Sequence, residues 1–164
     1  MTHTIRRLTE ADAALYREIR LEALRLHPEA FGASFQNESA EGVPFFAGRL
    51  ADNAVFGGFV ADTLMGTAGF RAGAGAKQAH KGLFWGMYVR AVARGSGLSR
   101  ALVEAVVHHA RAHAVQVHLV VVSENAAARR LYTSMGFAEY GVEPRSLMVE
   151  GRYLDEVLMV QRLD

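Results

Sequence analysis

Apolar and polar positions alternate in two different rhythms along the 164-residue chain, and the change of rhythm marks its elements. Residues 4–8, Thr-Ile-Arg-Arg-Leu, read as a short strand. Thr9 with Asp12 three residues on matches a capping box. From there Ala14, Leu15, Ile19, Leu21, Ala23, Leu24 and Leu26 carry a helix to about residue 26, stopped by His27-Pro28. Residues 35–51 predict a second helix, its course disturbed by Gly42 and Pro44. Residues 55–61 and 64–71 predict an antiparallel pair turning at Ala61-Asp62-Thr63, and residues 83–89 a further strand. At Gly97 the period becomes helical, with Leu98, Ala101, Leu102, Ala105, Val106 and His109 on one face of a helix reaching about His113. The β-branched run at 115–122 is a buried strand. Asn125 to Met135 is a short helix closed by Gly136, and residues 138–142 and 153–161 are the last strands.

The resulting order, β-α-α-β-β-β-α-β-α-β-β, predicts one α/β (α+β) domain over residues 1–164, built on a mixed, mostly antiparallel sheet with flanking helices. The strand–helix–strand unit at 83–122 predicts a right-handed crossover. The strands ending at Val89 and Val122 are therefore expected to be a central parallel pair, splayed apart where a ligand enters.

Composition narrows the function more than the fold. Half of the residues are hydrophobic and a fifth charged, as in ordinary globular proteins. No apolar run approaches the roughly 18 residues of a membrane span, and the N-terminus shows no signal-peptide core. A cytoplasmic location without membrane contact is expected. The net charge of +1, with acids and bases interspersed, predicts no nucleic-acid surface. There is no cysteine, which excludes disulfides, thiolate metal sites and a cysteine-linked acyl-enzyme.

Two segments carry chemistry. The first is Met87-Tyr88-Val89, followed by Arg94-Gly95-Ser96-Gly97-Leu98-Ser99 and a helix. Glycines let the backbone approach closely, and the first helical N–H groups point outward without internal partners, which suits a pyrophosphate. Arg90, Arg94 and Arg100 add positive charge. The GxxxxGK[ST] and GxGxxG patterns both fail, the second because residue 100 is Arg. A helix start that merely needs glycines for a tight turn stays open as the alternative. The second segment runs from Ser123 through Asn125, Ala128, Leu131 and Tyr132 to Gly136-Phe137. On its own terms Asn125 reads as an N-cap and Tyr132 as a core residue.

Together, in this order and separated by one helix and one strand, the segments resemble the GCN5-related N-acetyltransferase (GNAT) superfamily. Its [RQ]xxGx[GA] motif is matched from Arg94 to Ser99, with Ser99 in place of the usual Gly or Ala. Its Asn-x-x-Ala-x-x-Leu-Tyr-x-x-x-Gly-Phe pattern is matched from Asn125 to Phe137. The stretches 28–34 and 140–147 also look like parts of one branch of that family.

The resemblance implies acetyl-CoA as co-substrate and direct transfer to an amine of a small molecule or peptide in a ternary complex. Tyr132 is then the candidate general acid for the leaving thiolate. Backbone groups of Met87, Tyr88 and Val89 would pair with pantetheine and the acetyl carbonyl. The backbone of Gly95, Ser96, Gly97, Leu98 and Ser99, with Arg94 and Arg100, would hold the pyrophosphate, and Asn125 would orient the pantetheine arm. Glu38, Glu41 and His80 are candidate general bases, with water as the alternative. No metal is expected: His109 and His113 stand at i, i+4, but no third ligand has a recognisable spacing. Pairing into a homodimer stays open. Two rival functions remain: an acyl-CoA-binding module of the same fold without catalysis, and a nucleotide-phosphate-binding domain.

Overall fold

Local chemistry at the start of the first helix shows how closely the chain follows its sequence. Strand β1 (Thr4–Arg7) leads to Thr9, whose N–H donates to Asp12 Oδ2 at 2.7 Å, and a 3-10 turn then runs into α1 (Ala13–Leu26). Both oxygens of Asp12 also accept from the Arg6 guanidinium, at 2.8 and 2.9 Å. These bonds from Arg6 hold the Asp12 carboxyl down at about 2 against the opposing effect of burial.

The computed structural model describes residues 2–164. The region expected to hold one helix at 35–51 forms two, α2 (Phe35–Ser39) and α3 (Val43–Asp52). Pro44 lies in the first turn of α3, where its missing N–H costs nothing, so the break falls at Gly42. Strands β2 (Ala54–Val60) and β3 (Thr63–Ala72) form a hairpin turned by Ala61 and Asp62, both at positive φ. Then come β4 (Lys81–Val89), α4 (Leu98–Arg111), β5 (Gln116–Val122), α5 (Ala126–Ser134), β6 (Ala138–Val149) and β7 (Arg152–Arg162). The last hairpin departs from expectation. β6 continues through Pro144 to Val149 instead of stopping at Val142, because a register shift between Glu143 and Leu147 absorbs the proline on an edge strand.

The seven strands lie in the order β1-β2-β3-β4-β5-β7-β6, and only β4 and β5 run parallel. That pair touches over three register positions, Lys81 to Leu83 against Gln116 to His118, and then separates. One core fills the space between the sheet and α4 and α5, and a second lies beneath α1 and α3 on the opposite face. Glycines seat α4 on the sheet. A Cβ on Gly58 would come within 2.5 Å of Leu98 Cδ1, and one on Gly66 within 2.9 Å of Leu102 Cδ1. Any larger residue there would push the start of α4 away from the strand ends. No helix of the described residues is long and apolar enough to cross a membrane.

Candidate active site

Seven of the expected site residues, Met87, Tyr88, Val89, Arg94, Ser99, Asn125 and Tyr132, line the slit between β4 and β5. Beyond Leu83, residues 84–89 of β4 have no strand partner on the β5 side. A bulge sharpens the separation: opposite Ala68 of β3, β4 carries both Gly86 and Met87, and Gly86 adopts φ +67°. A glycine at positive φ lets the strand bend without strain and re-aims the residues after it. A glycine inside a strand pattern, such as Gly86, is the usual sequence signal of such a bulge.

Two adjoining cavities occupy the slit. The larger, about 630 Å³, opens among Met87, Tyr88 and Val89 of β4, Arg94 and Ser99 at the start of α4, and Asn125 and Tyr132 of the second segment. The smaller, about 130 Å³, lies between Phe84, Trp85, Gly86 and residues 119–122 of β5. Tyr132, Asn125, Met87 and Phe31 border both.

At the mouth, Gly95 (φ +76°) and Gly97 (φ +88°) take left-handed backbone conformations that leave the first N–H groups of α4 facing outward. A Cβ on Gly95 would meet nothing within 4 Å, and one on Gly97 only His3 Cε1 at 3.9 Å, so the space beside this turn is open. Leu98 is buried beneath it, and Ser96 Oγ donates back to the Ala93 carbonyl. Arg94 reaches over the cavity, donating from Nε to the Val89 carbonyl at 3.1 Å, with Nη2 3.2 Å from His27 Nε2. The other two arginines expected to enrich the cradle are engaged elsewhere. Arg90 is bound by Glu22 and Glu18 of α1, and Arg100 extends to Ser134 and Met135 at the end of α5. Glu22 also accepts from the Tyr88 hydroxyl at 2.8 Å, and burial together with that bond pushes the phenol up to about 12.

Asn125 caps α5, its Oδ1 accepting from Ala128 N–H at 3.2 Å. Its amide N–H₂ group makes no bond within the described residues, so the cap and a role toward the cavity are compatible. Tyr132 packs edge-to-face against Phe84 and Phe137, with centroids 5.5 and 5.9 Å apart. Its hydroxyl has no hydrogen-bond partner among the described residues, and burial raises its pKa above the ordinary phenol value. The proton therefore stays on the oxygen throughout the physiological range.

None of the three side chains considered as bases lines either cavity. His80 is exposed in the turn before β4, at the opposite end of the strand from Met87, on the order of 20 Å away along the chain. Glu41 is exposed and lines neither cavity. Glu38 is buried between Arg20 (3.1 Å to each oxygen) and Arg49 (2.9 Å). Burial would raise its carboxyl, but the two guanidiniums outweigh it and hold the group below the usual range, a poor setting for a base. Titratable neighbours the sequence reading missed are His27 and Glu29, 3.6 Å apart on the cavity wall just after α1. The His27-Pro28 helix stop was their only visible signal. His109 and His113 stack on each other at 4.1 Å beside Phe70, and no group of three metal-ligating side chains occurs among the described residues.

The fold is thus a mixed sheet split at its one parallel pair, with a glycine-bent helix start at the mouth of the split. Comparison with known families makes this specific: residues 13–137 match the Acetyltransferase (GNAT) family model. The chain belongs to the GNAT acetyltransferase family. An acetyltransferase of the GNAT family from Streptococcus pneumoniae superposes with a TM-score of 0.89 at 20% identity, over 99% of this chain and 100% of that one. The yncA protein of Salmonella typhimurium, solved with its cofactor acetyl-CoA, gives 0.82 at 26% identity, covering 100% and 95%. A ribosomal-protein-alanine N-acetyltransferase from Brucella melitensis gives 0.79 at 24% identity, covering 98% and 99%. A search among curated proteins finds no match.

Proposed function

We propose that the protein is an N-acetyltransferase that moves an acetyl group from acetyl-CoA directly to a primary amine of a small molecule or peptide. The observation that carries this reading is the Tyr132 hydroxyl, which has no hydrogen-bond partner among the described residues and belongs to a side chain bordering both cavities. A module that only bound acyl-CoA would need no proton donor there.

The residues present suit acetyl-CoA. A diphosphate fits the outward N–H groups from Gly95 to Ser99, with Arg94 as the nearby cation. The unpaired edge of residues 84–89 offers backbone donors and acceptors to an extended arm bearing amides, and the Asn125 amide faces the same space. Acetyl-CoA supplies an acyl carbon activated as a thioester. The free edge of β4 near Met87 holds its carbonyl oxygen and stabilises the charge that develops there, as preorganised backbone donors do. Tyr132 gives its proton to the departing sulfur, and the attacking amine loses its own proton to water.

Calorimetric titration with acetyl-CoA and ATP side by side, followed by thiol release across a panel of amines, tests the proposal. Acetyl-CoA should bind, ATP should not, and at least one amine should release thiol at a rate proportional to enzyme. Tight acetyl-CoA binding without turnover on any amine would favour the non-catalytic module. Preference for ATP would favour the nucleotide domain.

A further inference from the structure

On the α1/α3 face of the slit, three guanidiniums converge on one indole. Arg20, Arg49 and Arg71 stand with Cζ 5.8, 5.6 and 5.1 Å from the Trp85 ring. They come from α1, α3 and β3, so the fold assembles the cluster and no short motif encodes it. Cations at these distances are attracted by the indole face, yet they repel one another. Among the described residues, the one carboxylate bonded to any of the three is Glu38, which accepts from Arg20 and Arg49, whereas Arg71 donates to the neutral Asn53 side chain. Two positive charges are left without a counter-charge.

Each guanidinium has five N–H donors and no acceptor. Arg20 bonds through Nε and Nη2, Arg49 through Nη1 and Arg71 through Nε. Trp85 Nε1, packed against Gly69, is buried with no acceptor among the described residues. The cluster has a surplus of donors and of positive charge. None of the three guanidiniums lines either cavity, but the cluster adjoins the smaller one: Trp85 and Phe31 line it, Arg20 Cζ lies 5.4 Å above the Phe31 ring, and Arg20 Nη1 is 3.7 Å from where a Cβ on Gly86 would stand.

We infer that this cluster is an acceptor subsite for an anionic group, and that the acceptor is a small amine bearing a carboxylate. The inference rests on the proposed transferase reading, because it assigns the α1/α3 side of the slit to the amine while the α4 side holds acetyl-CoA. A cavity of about 130 Å³ suits a small molecule better than a polypeptide segment. A carboxylate placed against forked guanidinium donors makes paired, charge-assisted hydrogen bonds, and an amide or a second cation does not.

The chain contains a single tryptophan, and it lies inside the subsite, so its fluorescence reports occupancy directly. Titrating the full-length protein with phenylacetate should give a saturable change in emission. Phenylacetamide should bind at least about tenfold more weakly and phenethylamine more weakly still, the loss expected when a charged hydrogen bond is removed. Arg71 is exposed and bonded only to Asn53, so Arg71→Gln should fold normally while weakening phenylacetate about fivefold or more and leaving phenylacetamide unchanged. In turnover, phenylalanine should show a lower KM than phenylalaninamide, and Arg71→Gln should narrow that gap. Equal affinity for phenylacetate and phenylacetamide, or no response to phenylacetate, would overturn the inference. Failure of acetyl-CoA to bind would overturn the transferase reading instead and leave the fluorescence result standing.

Discussion

The two sides of the slit use different materials. The α4 side is a backbone device: Gly95, Gly97 and the first turn of α4 present N–H groups, and residues 84–89 present a free strand edge. The α1/α3 side is a side-chain device, with Arg20, Arg49, Arg71 and Glu38 around Trp85. Backbone recognition constrains residue types over a few consecutive positions, so it leaves a readable motif. Side-chain recognition draws on positions scattered from 20 to 85 and leaves none. A conserved reaction partner and a variable one can thus share a single opening.

The largest expected effect tests whether Tyr132 joins the two sides. Tyr132→Phe removes a hydroxyl that bonds nothing among the described residues, so folding should survive, while kcat falls by roughly 10²–10⁴, the range for a positioned acid. Acetyl-CoA affinity should hardly change. Because burial raises the phenol's pKa, the wild-type rate should show no alkaline decline from Tyr132 below about pH 10. A folded variant with full turnover would remove the acid and leave the two sides unconnected.

Gly97→Val should weaken acetyl-CoA binding by about tenfold or more, since a β-branched side chain is strained at φ +88° and would project into the open space beside the turn. Amine-side carboxylate binding, read by Trp85 fluorescence, should be unaffected. Equal acetyl-CoA dissociation constants for wild type and variant would sink the backbone-cradle assignment.

Glu38→Gln should act in the opposite sense, on stability rather than on acetyl-CoA. Removing the carboxylate leaves two largely buried guanidiniums facing each other, a loss of about 3 kcal/mol, or roughly 6–12 °C in Tm for a chain of this size. Glu38 has a folded pKa below its unfolded value. Its contribution to stability is therefore complete above about pH 4–5 and disappears as acid protonates it, and Glu38→Gln should flatten the acid limb of the wild-type curve. A variant as stable as wild type across that range would show that the cluster is not held together by charge. Ser99→Gly should be the smallest change. The serine lines the cavity, but its side chain makes no bond among the described residues, so acetyl-CoA affinity should stay within about twofold of wild type.

Most of the fold was legible because its elements follow their hydrophobic periods and end at recognisable stops: the Thr9 and Asp12 pairing, the Ala61-Asp62 turn, the glycine before α4. The interruptions were harder. Pro144 reads as a strand end, yet it lies on an edge strand whose bulge accommodates it. Gly42 and Pro44 read as one disturbed helix, although proline is at home in the first turn of a new one. In the site, Met87, Tyr88, Val89, Arg94, Ser99, Asn125 and Tyr132 of the two motif segments line one cavity. Spacing could not say that Arg90 is neutralised by α1, or that Glu38, considered as a base, is locked between two arginines. Those outcomes depend on partners 11 to 72 residues away in sequence.

The short contact between β4 and β5 also has a thermodynamic side. A sheet that closes over only three register positions at its parallel pair forgoes ladder hydrogen bonds along residues 84–89, so the ligand-free chain folds with part of its cohesion unrealised. A molecule that pairs with that edge binds the folded state alone and supplies what the second strand does not. By linkage, acetyl-CoA at 100 times its dissociation constant should stabilise the fold by about 2.7 kcal/mol, a rise of roughly 5–10 °C in melting temperature. The protein's own thermal transition then becomes a titration of the slit, readable before any acceptor is known.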